Sequence, residues 1–301
     1  MLQSRIGEFA ALLTAVCWTV TALVFESAGK QVGSLVVNLI RLFLGFLFLS
    51  LFSLIVRGMP LPFDAPARAW LWLSLSGVVG FVIGDLFLFR ALVVIGARIS
   101  TLIMSLVPPM TALIGWIILG ETLSLSNFLG MALTVGGIAL VVLERNGGKK
   151  QLRLSFPVSG VLLALGGAVG QAVGLVLSKY GMGSFNAFAS TEIRVIAGII
   201  GFSILFSLLK RWPRIGYATH NRKAMVRISI GAFLGSFLGV SLSLLAVQHT
   251  IAGVASTIMA IVPVLIIPPA VILFKEKVNA KEVIGAVIAV IGVAILFLEP
   301  L

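Results

Sequence analysis

Ten stretches of mostly apolar residues follow one another along the chain, at about 7–26, 33–56, 69–90, 96–119, 125–143, 157–178, 186–209, 227–247, 253–274 and 281–299. About 20 such residues, rising 1.5 Å each as a helix, match the ~30 Å hydrocarbon core of a bilayer. A soluble fold cannot accommodate the pattern. Only 11% of the 301 residues are charged, 59% are hydrophobic, and the mean hydropathy is +1.17, whereas soluble domains carry about 25% charged residues. Soluble enzymes, nucleic-acid binders and disordered chains are therefore excluded. The runs are continuously apolar, while barrel strands alternate over about 10 residues, so the spans are helices. The sequence predicts an all-α integral membrane protein, multi-pass in the cell inner (plasma) membrane.

The net charge of +12 lies mainly between the runs, where Lys and Arg face anionic lipid rather than nucleic acid. Sixteen Lys and Arg follow odd-numbered runs: Lys30; Arg90 and Arg98; Arg145, Lys149, Lys150 and Arg153; Lys210 through Arg227; Lys275, Lys277 and Lys281. The opposite side has Arg5, Arg57, Arg68 and Lys179. By the positive-inside rule the richer side is cytoplasmic and both termini are outside. Arg5 ahead of an apolar run imitates a signal peptide, but the first run has a counterpart later in the chain, which predicts retention. Cys17 has no second cysteine to pair with, and two histidines, His220 and His249, are too few for a metal cluster. No cofactor is expected.

The chain also repeats itself. At an offset of 153, Gly7, Ala15, Arg41 and Gly45 meet Gly160, Ala168, Arg194 and Gly198. Beyond the 57–68 connection the offset becomes 155: Gly80 and Gly84 meet Gly235 and Gly239, Ala91 meets Ala246, and Ile103-Met104 meets Ile258-Met259. Val107-Pro108 meets Val262-Pro263, Glu121 meets Glu276, and Gly130, Gly137 and Glu144 meet Gly285, Gly292 and Glu299. Gly and Ala coincide easily in this composition, but matched Arg, Pro and Glu at a nearly constant offset do not. The expected organisation is a first five-helix repeat at 1–145, a basic linker at 146–156, and a second repeat at 157–301. Five being odd, the second copy enters the membrane from the other side, giving the inverted repeat common among transporters.

The motifs Asn38-Leu-Ile-Arg41 and Thr191-Glu-Ile-Arg194 begin the second helix of each half, and a Pro interrupts the fourth. Gly120-Glu121 with Gly130 through Gly137, and Lys275-Glu276 with Gly285 through Gly292, close each half. With this architecture the chain resembles the EamA family of the drug/metabolite transporter superfamily over nearly its whole length. The resemblance implies ten helices around a central cavity, and relatives that export amino acids and other small metabolites.

Candidate cavity residues follow helical spacing. Thr14, Cys17, Trp18 and Thr21 share a face of the first helix, opposite Gly167, Gly170, Gln171, Gly174 and Ser178 of the sixth. Either a shared cavity or close packing through small residues accounts for these faces. Thr101, Met104, Ser105 and Pro108 recur as Ser256, Met259, Ala260 and Pro263. Each proline leaves the carbonyl four residues back without its helical donor, so Pro108 and Pro263 are candidate hinges. Arg41, Asp85, Glu192 and Arg194 are charges within apolar runs, each costing about 2.5–3.5 kcal/mol on insertion scales. The arginines either anchor a substrate carboxylate or pair structurally with Asp85 and Glu192. Arg90 and Arg98 are expected at lipid headgroups.

Small multidrug exporters of the superfamily carry a Glu in the first helix, where this chain has Cys17 and Trp18. That departure weighs against proton-driven exchange of cationic drugs, leaving Asp85 as an alternative proton site. No phosphate loop or intramembrane His–carboxylate set points to an enzyme. The leading expectation is a secondary carrier of a small metabolite such as an amino acid, working as a monomer by alternating access, with the small-molecule substrate and membrane lipids as partners. The alternatives are a carrier or scramblase of lipid or lipid-linked substrates, or a proton-coupled drug exporter.

Overall fold

In the bilayer every backbone N–H and C=O must be bonded within the protein, so apolar runs without turn residues fold as helices. The computed structural model describes residues 6–119, 125–145, 152–249, 255, 258–275 and 278–296. The first half contains α1 (Ile6–Val32), α2 (Ser34–Arg57) and α3 (Ala67–Gly77). A π-helical segment, Val78–Gly84, carries α3 into α4 (Asp85–Met104), which is followed by α5 (Val107–Leu119) and α6 (Leu125–Val142). The second half begins with α7 (Val158–Met182), α8 (Ala187–Leu208), α9 (Pro213–His220) and α10 (Arg222–Gly231). A second π segment, Ala232–Gly239, leads into α11 (Val240–His249); α12 (Val262–Leu265), α13 (Ile267–Phe274) and α14 (Ala280–Leu296) complete the chain. Among the described residues, six continuous helices are long and apolar enough to cross a membrane.

Breaks and caps come from particular residues. Gly33 and Gly58 take positive φ at the two ends of α2, and the Gly58 N–H bonds back to Leu54 O. Asn186 caps α8 through its Oδ1, which accepts from the N–H groups of Phe188 and Ala189. One helix over Ala67–Met104 would have 38 residues and run about 57 Å, nearly twice the bilayer core. Gly96 divides it with φ 81 and ψ 164, a conformation open mainly to glycine. The N–H of Ala97, at the fresh helix start, donates to Glu26 Oε2 at 2.7 Å.

Several expectations change here. The connection between Arg90 and Arg98 is this one-residue break, and Arg98 pairs with Glu282 instead of facing headgroups. The first helix runs past residue 26 and holds a Glu26–Lys30 ion pair within it. At the linker the chain forms a small antiparallel hairpin, Leu143–Arg145 against Leu152–Leu154, in register Leu143↔Leu154. The matched Glu121, Glu276 and Glu299 lie outside the described residues.

Contacts between the halves come in reciprocal pairs. On α6, a Cβ added to Gly137 would lie 2.6 Å from Gly285 O; on α14, one added to Gly292 would lie 2.8 Å from Gly130 O. Gly130 and Gly285, and Gly137 and Gly292, are repeat mates, so the two contacts are the same contact made twice. Residue numbers rise on one helix as they fall on the other, so α6 and α14 run antiparallel. Likewise Gly80 and Gly84 of the first π segment meet Gly174 and Gly170 of α7, while Gly235 and Gly239 of the second meet Thr21 and Trp18 of α1. Gly45 of α2 abuts Ser236, and its mate Gly198 of α8 abuts Phe81. Small residues allow this backbone approach where burial of apolar surface gives helices no reason to associate. Large apolar side chains such as Leu51, Ile55, Leu71, Leu162 and Ile272 stay exposed on the outside, as lipid contact permits.

At one end, Arg57 lies over the Phe185 ring at 5.5 Å and Arg68 over Tyr180 at 4.4 Å. Asp64 there is held below the usual carboxylate range by the hydrogen bond from Arg57. At the opposite end of α2, Arg90, Arg211 and Arg214 gather around Gly33–Val36.

The glycine seam gives a test. Gly137→Val should lower stability by about 1–3 kcal/mol through overpacking, read as a lower thermal midpoint in detergent. Gly136→Ala, where a Cβ meets nothing within 4 Å, should stay within about 0.5 kcal/mol of the parent.

Candidate functional site

A cavity of about 210 Å³ opens between the halves. Sites for drug-sized ligands usually span about 300–1,000 Å³, so this one suits a single small metabolite. Its wall combines Trp18 and Thr21 of α1, Arg41 of α2, Phe81, Asp85, Thr101 and Met104 of the third and fourth spans, Gln171 of α7 and Arg194 of α8. Ser105, Pro108, Met259 and Pro263 also line it. Ten of the residues singled out from sequence thus come together with both candidate hinges.

Cys17, Ser178 and Glu192 lie elsewhere. Cys17 is buried in α1 outside the lining, and its carbonyl accepts from Thr21 Oγ1 at 2.7 Å. Ser178 meets Ser76 Oγ at 2.7 Å and donates to Gly174 O, fastening α7 to α3. Glu192 accepts from Ser50 and Ser53 of α2 at 2.8 and 3.1 Å. It is a contact between α2 and α8, not an ionic partner for Arg194. Ser256 lies outside the described residues.

The polar centre is built on Arg41. Its Nη2 pairs with Asp85 Oδ2, Nε donates to Asn38 Oδ1 at 3.0 Å, and Nη1 donates to Ser236 Oγ at 3.1 Å. The Asn38 amide donates to the Asp85 backbone carbonyl at 3.1 Å, and Gln171 Nε2 donates to Asp85 Oδ1 at 2.7 Å. Phe81 and Phe89 present ring faces to the Arg41 guanidinium, 5.7 and 4.5 Å from its carbon. Such a pair survives in low dielectric only with further hydrogen bonds around it. Here each guanidinium nitrogen and each carboxylate oxygen has a partner.

Arg194 is placed differently. Gly77 lets α3 approach α8 so closely that an added Cβ would lie 3.0 Å from Arg194 Cα. The guanidinium stacks on the other side of the cluster, 4.6 Å from the Phe81 ring centre. Its Nε is buried without a hydrogen-bond partner.

Before Pro108 and Pro263 the helices break. Ser105 and Leu106 N–H bond three residues back, to Leu102 and Ile103, and Ile261 bonds to Ile258 O. Each proline then enters the first turn of a new helix, α5 or α12, so these are interruptions rather than bends within a helix. The carbonyls of Met104 and Met259 lose their usual donors, and both residues line the cavity.

Sequence reasoning missed the π segments, although matched Gly80/Gly84 and Gly235/Gly239 marked their places. Single π turns inside α-helices recur at functional sites, and here one delivers Asp85 to Arg41. Ser236 was not identified either, since nothing in its local pattern sets it apart.

Apolar spans with reciprocal halves, enclosing a cavity with buried charges, define a multi-pass membrane transporter. The chain belongs to the EamA-like transporter family, whose profile matches residues 5–143 and 158–298, and is a membrane transporter of the drug/metabolite type. It is similar to an uncharacterized transporter in the cobO 3′ region of Sinorhizobium sp., with 31% identity over 139 residues, 46% of this chain and 98% of that one. In fold it is similar to a crystal structure of a protein of 22% identity, with a TM-score of 0.62 over 98% of this chain and 96% of the other.

Asp85→Asn would strand Arg41 as a buried charge and should cost about 3–5 kcal/mol. Replacing both as Arg41→Met with Asp85→Leu should restore most of the loss. Thermal unfolding of the three variants checks the order.

Proposed function

We propose that the protein is a ten-span secondary transporter made of two inverted five-helix repeats, 1–145 and 157–301, joined by a basic linker at 146–156. It moves a small metabolite, with amino acids among the candidates, across the inner membrane as a monomer by alternating access. The observation that carries this is the composition of the cavity wall: repeat-equivalent residues of the two halves, Trp18 with Gln171, Met104 with Met259 and Pro108 with Pro263, line one space. A site between two like halves can open to either side by rocking one against the other, since the same contacts are available in both orientations. The antiparallel α6–α14 seam supports inversion. That the Sinorhizobium relative matches less than half of this chain over nearly its full length supports one repeat as the ancestral unit. Both termini lie outside, with the arginine-rich end cytoplasmic.

The helix breaks supply the moving parts. Pro108→Ala and Pro263→Ala should let α4–α5 and the α12 region close into more regular helix. In liposomes carrying the purified chain, each should lower transport turnover by about tenfold with little change in substrate affinity, because a hinge governs interconversion rather than binding. Unchanged turnover in both would make the breaks static.

The wall itself is tested through selectivity. Trp18→Ala removes an apolar plane and should weaken apolar substrates most; Gln171→Leu removes hydrogen bonds at similar volume and should weaken polar ones most. A panel of amino acids and sugars in the uptake assay reads both, and indifference to both substitutions would make these packing surfaces.

A further inference from the structure

Resting on the carrier reading above, we infer that the transported solute is a small organic monoanion, and that Arg194 binds its carboxylate while the apolar cavity wall takes its body. Arg41 and Arg194 are equivalent residues, both lining the cavity and both only 4% exposed. Arg41 is compensated by Asp85, Asn38 and Ser236. At the same offsets the mates of those partners are Val240, Thr191 and Phe81. Val240 has no charge, Thr191 directs its hydroxyl to Ala187 O in its own helix at 3.0 Å, and Phe81 offers only a ring face. Every partner of Arg41 has thus been replaced at Arg194 by a residue that does not neutralise it.

Among the described residues the cavity thus holds two guanidinium groups against one carboxylate, and that carboxylate is bonded to Arg41 and Gln171. Among the described residues no carboxylate touches Arg194; Asp85 acts on it only through space, and its Nε has no hydrogen-bond partner. A buried cation left in this state is costly in low dielectric, and an entering anion relieves it. Ser105 Oγ is likewise buried, unpartnered and on the cavity wall, which supplies a further donor. Phe25, Leu88 and Leu92 make much of the remaining lining apolar. A zwitterion would bring no net charge and leave the excess in place, so a monoanion fits better. Planar guanidinium matches a carboxylate through two parallel hydrogen bonds.

Binding and uptake are measured on the full chain, in detergent and in liposomes, at fixed chloride. Carboxylates from butyrate to 3-phenylpropanoate are compared with their amides and with phenylalanine. At least one carboxylate should bind and be transported about 10- to 100-fold better than its amide, and 3-phenylpropanoate should exceed phenylalanine. Arg194→Met should abolish that preference. Val240→Asp should abolish it too, by giving Arg194 the carboxylate its mate already has; its thermal stability should equal or exceed the parent's, which separates loss of binding from loss of fold. Equal binding of acid and amide, a preference for the zwitterion, no binding across the series, or a preference that survives in Val240→Asp overturns the inference. Chloride competing as well as the carboxylates also overturns it, by making this an inorganic-anion site. Saturable uptake of amides or zwitterions with no anion preference leaves the carrier standing without the subsite. Carboxylate binding lost in Val240→Asp, with no uptake of any solute, leaves the subsite standing without the carrier.

Discussion

The ion pair between Arg41 and Asp85 is the constraint around which the interior is arranged. Two charges removed from water in a membrane protein persist only if all their valences are met, and the groups that meet them come from both halves. Asn38 lies on the same helix as Arg41, while Ser236 and Gln171 belong to the second repeat. The pair therefore acts as a rivet between the repeats. It also requires the third span to present Asp85 at a fixed depth and rotation, and the π turn just before Asp85 provides that adjustment.

Close backbone contact makes the rivet possible. Gly80 and Gly84 let the first π segment lie against Gly174 and Gly170, which places Gln171 beside Asp85. The reciprocal contact in the other half places Gly235 and Gly239 against Thr21 and Trp18. One wall of the cavity is thus glycine against glycine and the other is glycine against a side chain. This difference gives the cavity an aromatic face at Trp18 and an amide face at Gln171, from one ancestral arrangement.

Divergence between the repeats is where the chemistry resides. Identical halves would pair both arginines or neither. With Asp85 on one side and Val240 on the other, one guanidinium is hydrogen-bonded to a carboxylate and the other feels that carboxylate only through space, so the electrostatics of the cavity are asymmetric although its lining comes from repeat-equivalent positions. Glu192, which invites pairing with Arg194 two positions along, serves instead to bind α2 through Ser50 and Ser53. Residues two apart on a helix point in different directions, which is why it cannot turn back to the arginine.

Much of this was legible in the residues alone. Membrane class follows from run length and hydropathy, because the bilayer sets both; the duplication follows from matched Arg, Pro and Gly at a nearly constant offset. Trp18, Arg41, Asp85, Gln171 and Arg194 were identifiable because polar and charged side chains are expensive in apolar helices and so stand out. Their partners were not identifiable. Which carboxylate meets which arginine, that Ser178 and Glu192 fasten helices rather than line the cavity, and that Arg98 reaches Glu282 all depend on rotation and depth of helices distant in sequence. Local periodicity gives the face of a helix but not what faces it; only packing of the two repeats against each other decides that, and it leaves Arg41 neutralised and Arg194 open.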